Sequence, residues 1–342
     1  IHGTGLKLIP RSLANYGFTN IIGVPEQEVL SGDFPTVASP NPEEPSAMAM
    51  AIEKAKETGA EVVMASDPDA DRIGLVIRDN NGEYVLINGN QIVMIFLNYL
   101  MTRNTELGTL TGNEYIVKTI VTTETIRTIA EAQHIKMYDC FTGFKWIANV
   151  MRENEGKARY LGGGEESYGF LAEDFVRDKD SVSAISLMAE IAAWAKDKGL
   201  NMTDMLIDIY MKYGFSREKG ISLVRKGKSG AEEIIALMKQ FRENPPKEIA
   251  GSPVVTVKDF QSLVETNVAT GETKKLDMPT TSNVLQYYTA DRTKVSVRPS
   301  GTEPKIKFYI EVHDTLASAD EYKATEARAD EKINRIAKEF GI

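Results

Sequence analysis

One cysteine in 342 residues, Cys140, excludes an intramolecular disulfide framework and any multi-cysteine metal site, and it fits a reducing cytoplasm. Its place in an extended run (KMYDCF) predicts simple burial. Histidine is nearly as scarce: there are three, and His134 and His313 are scattered, so no Cys/His zinc pattern can be drawn. A Gly-x-Ser-x-Gly nucleophile elbow is also missing. No stretch approaches the ~18 consecutive apolar residues of a membrane span, and the start carries no signal-peptide pattern. Positive charge is in deficit. A net charge of −9 argues against a nucleic-acid surface, which needs clustered Lys and Arg. A cytoplasmic protein is expected, with neither nucleic acid nor membrane as partner. Short repeats and low-complexity segments are absent, and so is an initiating Met. Ile1-His2-Gly3-Thr4-Gly5 reads as a strand-to-helix turn, so sequence upstream of it is expected.

What is present is an ordinary globular composition, 42% hydrophobic and 26% charged, in a chain long enough for two or three domains. The first two-thirds alternates helix and strand signals, as parallel α/β sheets with helical crossovers do. Pro45 opens a helix that Gly59 stops. An apolar strand, EVVMAS, runs straight into DPDADR, and Asn80-Asn81-Gly82 marks a hairpin. A second α/β unit follows from about residue 89, closing with helices near 181–196 and 203–212. From about residue 217 extended segments gather between a helix near 230–243 and a last helix. A Ser-x-x-Glu capping box, Ser318 to Glu321, is expected to start that last helix. The expected fold class is α/β: two related α/β domains with mixed or parallel sheets (1–88 and 89–216), then a smaller α+β domain (217–342).

Four short segments carry the chemistry. Asp67, Asp69 and Asp71 place carboxylates at alternate positions after an apolar strand, and they repel one another unless a cation sits among them. A hard divalent ion with oxygen ligands suits that set, and ligands of open α/β sheets bind at the carboxyl ends of strands. An EF-hand is excluded, because Arg72 replaces its Gly and Arg78 stands where its bidentate Glu belongs. A haloacid-type phosphatase loop wants Thr or Val at Asp71, and a solvated acidic turn is the remaining alternative. Gly162-Gly163-Gly164-Glu165-Glu166-Ser167 offers glycines that let backbone approach a ligand. Glu165 and Ser167, two apart, could bind neighbouring sugar hydroxyls; a plain strand-exit turn is the other reading. Thr142-Gly143-Phe144-Lys145-Trp146 opens a helix, where Lys145 could serve as a general acid or base or simply sit in water. Arg298-Pro299-Ser300-Gly301-Thr302 combines a guanidinium, two hydroxyls and the N–H groups of a Gly turn, a phosphate cradle or a polar hairpin loop.

In this order, the four segments resemble the α-D-phosphohexomutase family of phosphoglucomutases and phosphomannomutases, and the likeness runs through the whole chain. The resemblance implies the second, third and fourth of that family's four domains. It implies Mg²⁺ at Asp67, Asp69 and Asp71, with Arg72 adjoining the reacting phosphate and Lys145 as acid/base. It implies Glu165 and Ser167 at the sugar, with Arg177, Lys179 and Asp180 beside it and Lys118 near the phosphate. Arg298, Ser300, Gly301 and Thr302 are implied to hold the non-reacting phosphate. The implied reaction interconverts hexose 1- and 6-phosphates through a phosphoserine and a hexose 1,6-bisphosphate, with glucose ahead of mannose. The partner is then a small phosphorylated sugar. The family's Thr-x-Ser-His-Asn-Pro phosphoserine loop is missing: Ser39-Pro40-Asn41-Pro42 lacks its His, and no catalytic role is assigned to Ser39. The chain by itself is therefore expected to be inactive. A phosphopentomutase of the same family and a non-catalytic phosphosugar-binding protein are the alternatives.

Overall fold

In the computed structural model, which describes residues 1–225, 227–301 and 303–342, the chain divides into two compact units, 1–209 and 210–342. The first unit opens with α1 (Gly5–Asn15) and an irregular stretch, then α2 (Pro45–Thr58). Proline at the first turn and Gly59 in the left-handed region (φ 73°) bound α2 as the sequence predicts. Strands β1 (Val62–Ser66), β2 (Ile73–Arg78) and β3 (Tyr84–Ile87) follow. All three run antiparallel. The parallel pairing expected here is therefore not found in this sheet, because β1 and β2 are joined by a loop of six residues, too short for a crossover helix. The Asn80-Asn81-Gly82 turn closes β2 onto β3, with Gly82 at φ 84°.

Next comes α3 (Gly89–Leu107), whose Asn88 and Gln91 form a reciprocal capping box that the sequence reading passed over. Ile92 to Leu97 are all buried, so α3 is enclosed rather than amphipathic. The second sheet is built from β4 (Glu114–Thr119), α4 (Thr125–Ala132), β5 (Lys136–Cys140), α5 (Phe144–Asn154), β6 (Arg159–Gly164) and β7 (Phe170–Ala172). Its order is β5-β4-β6-β7, parallel except for β7. The chain leaves β4 for β5 on one side and returns as β6 on the other, which makes the carboxyl ends of β4 and β6 a topological switch point. Cys140 is buried there, as expected, and burial pushes its thiol well up. Helix α6 (Ser181–Asp197) completes the unit, and α7 (Met202–Tyr213) runs across the division between the two.

The second unit continues with β8 (Phe215–Val224), α8 (Gly227–Glu243), β9 (Glu248–Ile249), β10 (Ser252–Asp259), β11 (Val264–Asn267), β12 (Thr273–Lys275), β13 (Leu285–Thr289), β14 (Lys294–Pro299), β15 (Lys305–Asp314) and α9 (Tyr322–Glu339). The sheet is antiparallel in the order β12-β11-β10-β13-β14-β15-β8, with β9 on β10. Rings of Phe241, Tyr287, Phe308 and Phe340 join α8 and the chain end to this sheet. The capping box expected at Ser318 is not made. The Glu321 N–H donates to the Ser318 carbonyl at 3.2 Å, a 3₁₀ turn over Ala319–Glu321, and no side chain caps that turn. Among the described residues no helix is long and apolar enough to cross a membrane. The fold is thus α/β with mixed sheets followed by an α+β unit, as read from the sequence.

Candidate functional site

The six residues between β1 and β2 form a tight loop. Asp67 is 7% exposed and its Oδ1 accepts from the N–H groups of Asp71 and Arg72, both at 3.0 Å. Ala70, in the left-handed region at φ 58°, turns the loop back on itself, and its carbonyl accepts from the Ser181 N–H at 3.0 Å. Asp67 is buried, Asp69 exposed and Asp71 half-buried, and one carboxylate oxygen from each lies within 4.8 Å of the others. Burial, reinforced by Asp71 and Asp69, pushes the Asp67 carboxyl up to about 6 against the two backbone hydrogen bonds. Asp71 Oδ1 is buried with no hydrogen-bond partner. Three crowded carboxylates, one of which has an orphaned oxygen, fit a hard cation such as Mg²⁺.

Cationic side chains surround this set. Arg72 Nη1 meets Glu43 Oε1 at 3.0 Å, while its Nε lies 3.6 Å from Asp67 Oδ2 and 3.8 Å from Asp71 Oδ1. Lys179 Nζ meets Asp71 Oδ2 at 2.5 Å. Lys179 also runs close to Glu165. A Cβ on Gly169 would stand 2.6 Å from Lys179 Cδ and 3.2 Å from Glu165 Oε2, so a side chain there would push the two apart. Glu165 is buried, its Oε1 accepts from the Gly143 N–H at 2.7 Å, and burial followed by the Glu166 charge pushes its carboxyl up. That hydrogen bond draws the Thr142–Trp146 segment to the loop after β6. The structure therefore brings Asp67, Asp69, Asp71, Arg72, Lys179, Glu165 and Gly143 into one neighbourhood. Ser167 is half-buried in the same turn.

The remaining residues fall out differently. Lys145 is exposed in the first turn of α5, two residues past Gly143, with Nζ 5.4 Å from the centre of the Trp146 ring. Lys118 is fully buried, its Nζ held by Glu124 Oε1 at 3.0 Å and Asp139 Oδ1 at 2.9 Å, and Arg127 pairs with the same two acids. Arg177 is exposed and paired with Glu155 at 2.9 Å, so within VRDKD it is Lys179 that reaches the triad. Asp180 caps α6, accepting from the N–H groups of Val182 and Ser183. Glycines 162–164 were expected to admit a ligand, but they lie within β6, and packing demands them. A Cβ at Gly163 would stand 2.6 Å from Val117 O, and one at Gly164 2.7 Å from Val93 Cγ2.

In the second unit Arg298 is half-buried near the end of β14. The Ser300 N–H donates to Lys305 O at 2.7 Å, and Ser300 Oγ accepts from the Glu303 N–H at 3.3 Å. Gly301 faces open space, and Thr302 lies outside the described residues. A separate cavity of about 640 Å³ beside α1 and α6, lined by Tyr16, Phe18, Phe175 and Glu190 among others, takes in none of the triad, Glu165 or Lys145.

Residues 1–82 match the model for phosphoglucomutase/phosphomannomutase alpha/beta/alpha domain II, residues 88–213 that for alpha/beta/alpha domain III, and residues 242–329 that for the C-terminal domain. The chain belongs to the phosphoglucomutase/phosphomannomutase family. It is 34% identical over 313 residues to a phosphoglucomutase of Staphylococcus haemolyticus, covering 92% of this chain and 56% of the relative. A phosphoglucomutase of Staphylococcus epidermidis is 36% identical over 310 residues, with 91% and 56% covered. The chain thus spans about half the length of these relatives. Its fold is similar to that of a phosphoglucomutase/phosphomannomutase family protein from Burkholderia thailandensis (TM-score 0.62, 18% identity, 99% of this chain and 59% of that one). It is also similar to the open form of Paramecium pp63/parafusin (TM-score 0.57, 16% identity, 91% and 53%).

Proposed function

We propose that these residues serve a phosphohexomutase reaction, the interconversion of hexose 1- and 6-phosphates with glucose as the first substrate. The observation that carries this reading is Lys179, which lies against Asp71 of the triad and beside Glu165. A metal-and-phosphate site and a sugar site thereby become neighbours. Phosphoryl transfer rests largely on positioning and charge stabilisation, and the residues divide along those lines. Mg²⁺ held by Asp67, Asp69 and Asp71 supplies charge neutralisation for the phosphoryl group. Arg72 and Lys179 add positive charge at the edge of that set. Glu165 and Ser167 hold sugar hydroxyls, and Lys145 receives and returns the proton of the reacting hydroxyl. Arg298, Ser300, Gly301 and Thr302 hold the phosphate that is not reacting, with Arg177 as an outer member of the substrate set and the buried Lys118 bracing Glu124 and Asp139 behind it. The division into domains 1–88, 89–216 and 217–342 belongs to the same reading.

In this scheme a phosphoserine gives its phosphoryl group to a hydroxyl of the hexose monophosphate, forming a hexose 1,6-bisphosphate. After the sugar reorients, the other phosphoryl group returns to serine. The 342 residues contain no Thr-x-Ser-His-Asn-Pro loop to play that serine's part. They are accordingly expected to bind glucose 1,6-bisphosphate in the presence of Mg²⁺ without turning over glucose 1-phosphate. Calorimetry and a coupled assay for glucose 6-phosphate test both halves. Robust interconversion by the purified chain would overturn the scheme and make Ser39 the first serine to examine. Failure to bind the bisphosphate would remove the sugar-phosphate reading itself.

A further inference from the structure

Glu166 sits between the two sugar-loop residues and has no part in the scheme so far. Its carboxylate is nevertheless the best anchored of the three side chains. Oε2 accepts from the Thr119 hydroxyl at 3.0 Å and from the Thr122 hydroxyl at 3.3 Å, while the Glu166 N–H donates to Thr122 Oγ1 at 3.2 Å. Thr119 and Thr122 are fully buried and their hydroxyls lie 2.9 Å apart. Two hydroxyl protons are thus shared among the three oxygens of Thr119, Thr122 and Glu166, which form one hydrogen-bonded cluster at the carboxyl end of β4 and the start of the β6–β7 turn. The Glu166 backbone is anchored too: its carbonyl oxygen comes within 2.0 Å of where a Cβ on Gly89 would stand, so α3 begins hard against it. At the far end of the turn Glu165 N–H donates to Gly169 O at 2.9 Å, and Tyr168 O accepts from the Ile73 N–H at 3.1 Å, next to the metal loop.

We propose that Glu166 is a positioning residue: by binding Thr119 and Thr122 it fixes the turn so that Glu165 and Ser167 are presented to the sugar. This rests on the sugar-loop reading of Glu165 and Ser167. The charged and polar groups facing Glu165 are Glu166, which disfavours its ionised form, and Lys179, Arg72 and the Gly143 N–H, which favour it, with the Cys140 thiol nearby. Burial is the main cause that raises the Glu165 carboxyl, and the Glu166 charge adds to it.

The test compares E166Q, E166A and E165Q in the 342-residue chain, with glucose 1,6-bisphosphate and inorganic phosphate as probes in calorimetry. Carboxyl-carbon NMR follows the titration of Glu165 in the ligand-free protein. E166Q keeps an acceptor for Thr119 and should bind the bisphosphate within about twofold of wild type. E166A should weaken it roughly tenfold, the scale of a hydrogen-bonded anchor, with inorganic phosphate unaffected. In E166Q the Glu165 midpoint should fall, because a like charge has gone, while bisphosphate affinity is kept; loss in E166A with rescue in E166Q is what separates positioning from charge. An unchanged Glu165 midpoint in E166Q overturns the proposal, even if E166A fails to fold. Bisphosphate binding weakened by E165Q but not by E166A overturns the positioning role and leaves the sugar-loop reading standing. No effect of E165Q removes that reading and the proposal with it.

Discussion

The loop of Asp67–Arg72 and the loop of Arg298–Lys305 are both short, polar and rich in turn residues, yet they are built in opposite ways. In the first, a buried carboxylate accepts two backbone N–H groups, a left-handed Ala70 sets the bend, and α6 begins by donating to that residue's carbonyl. In the second, a Cβ added to Gly301 would meet nothing within 4 Å, and the Ser300 N–H and hydroxyl bond to its own hairpin neighbours Lys305 and Glu303. The first is preorganised, so its residues act through fixed geometry and single changes are costly. In the proposed function the second acts through one guanidinium more than through scaffolding, so its changes should be graded.

The largest effect expected is at Asp69. Asp69→Ala removes the central member of the anionic set and should abolish Mg²⁺ binding by calorimetry. Retained affinity would place the ion elsewhere. Glu165→Gln comes next. It keeps shape but loses an anionic acceptor, and hexose phosphate affinity should drop by ~1.5–3 kcal/mol with inorganic phosphate binding intact. Equal weakening of both ligands would put Glu165 outside the sugar contact.

A third change sharpens the account of the braced loop. Asp67 has its carboxyl raised from 3.8 to about 6 by burial and by its acidic neighbours. The folded state therefore holds a proton that the unfolded chain releases. Without metal, the resulting cost to stability is absent below about pH 3.8, grows between there and pH 6, and is fully present at higher pH. Asp67→Asn should raise the urea midpoint at pH 8 by the equivalent of roughly 1–2 kcal/mol, allowing for water at the open side of the loop. That gain should vanish towards pH 4, and a gain independent of pH would contradict the cause given. The smallest effect belongs to the open loop. Arg298→Lys should weaken bisphosphate binding by about 1 kcal/mol, since an ammonium cannot reproduce a bidentate guanidinium contact. No change in affinity would remove Arg298 from the phosphate contact.

How much of this was legible in the sequence depends on whether the cause was local. The triad could be read because alternate aspartates after an apolar strand are a local pattern, and Glu165 because it follows a run of glycines out of a strand. The Gly59 and Gly82 turns were legible for the same reason. Lys118 was not, since its burial between Glu124 and Asp139 depends on β4 and β5 pairing Lys118 opposite Asp139. Within VRDKD the sequence offers two cations with equal claim. Only the path of the chain past Gly169 takes Lys179 to Asp71 and leaves Arg177 with Glu155. In the first sheet the Asn80-Asn81-Gly82 hairpin made the β2–β3 pair legible, but alternating helix and strand signals do not reveal that β1 pairs antiparallel with β2. The glycines of β6 look like ligand-binding glycines until Val117 and Val93 are seen against them.

The central claim is that the triad binds a divalent ion beside Lys179 and Glu165. Titrating Mn²⁺ into isotopically labelled protein tests it directly, because a paramagnetic ion broadens the resonances nearest to it even when binding is weak. The signals of residues 67–72 and of Lys179 should broaden first, those of Glu165 and Gly143 next, and the Asp69→Ala protein should show none of this. Broadening that begins elsewhere, or that survives Asp69→Ala, would contradict the account.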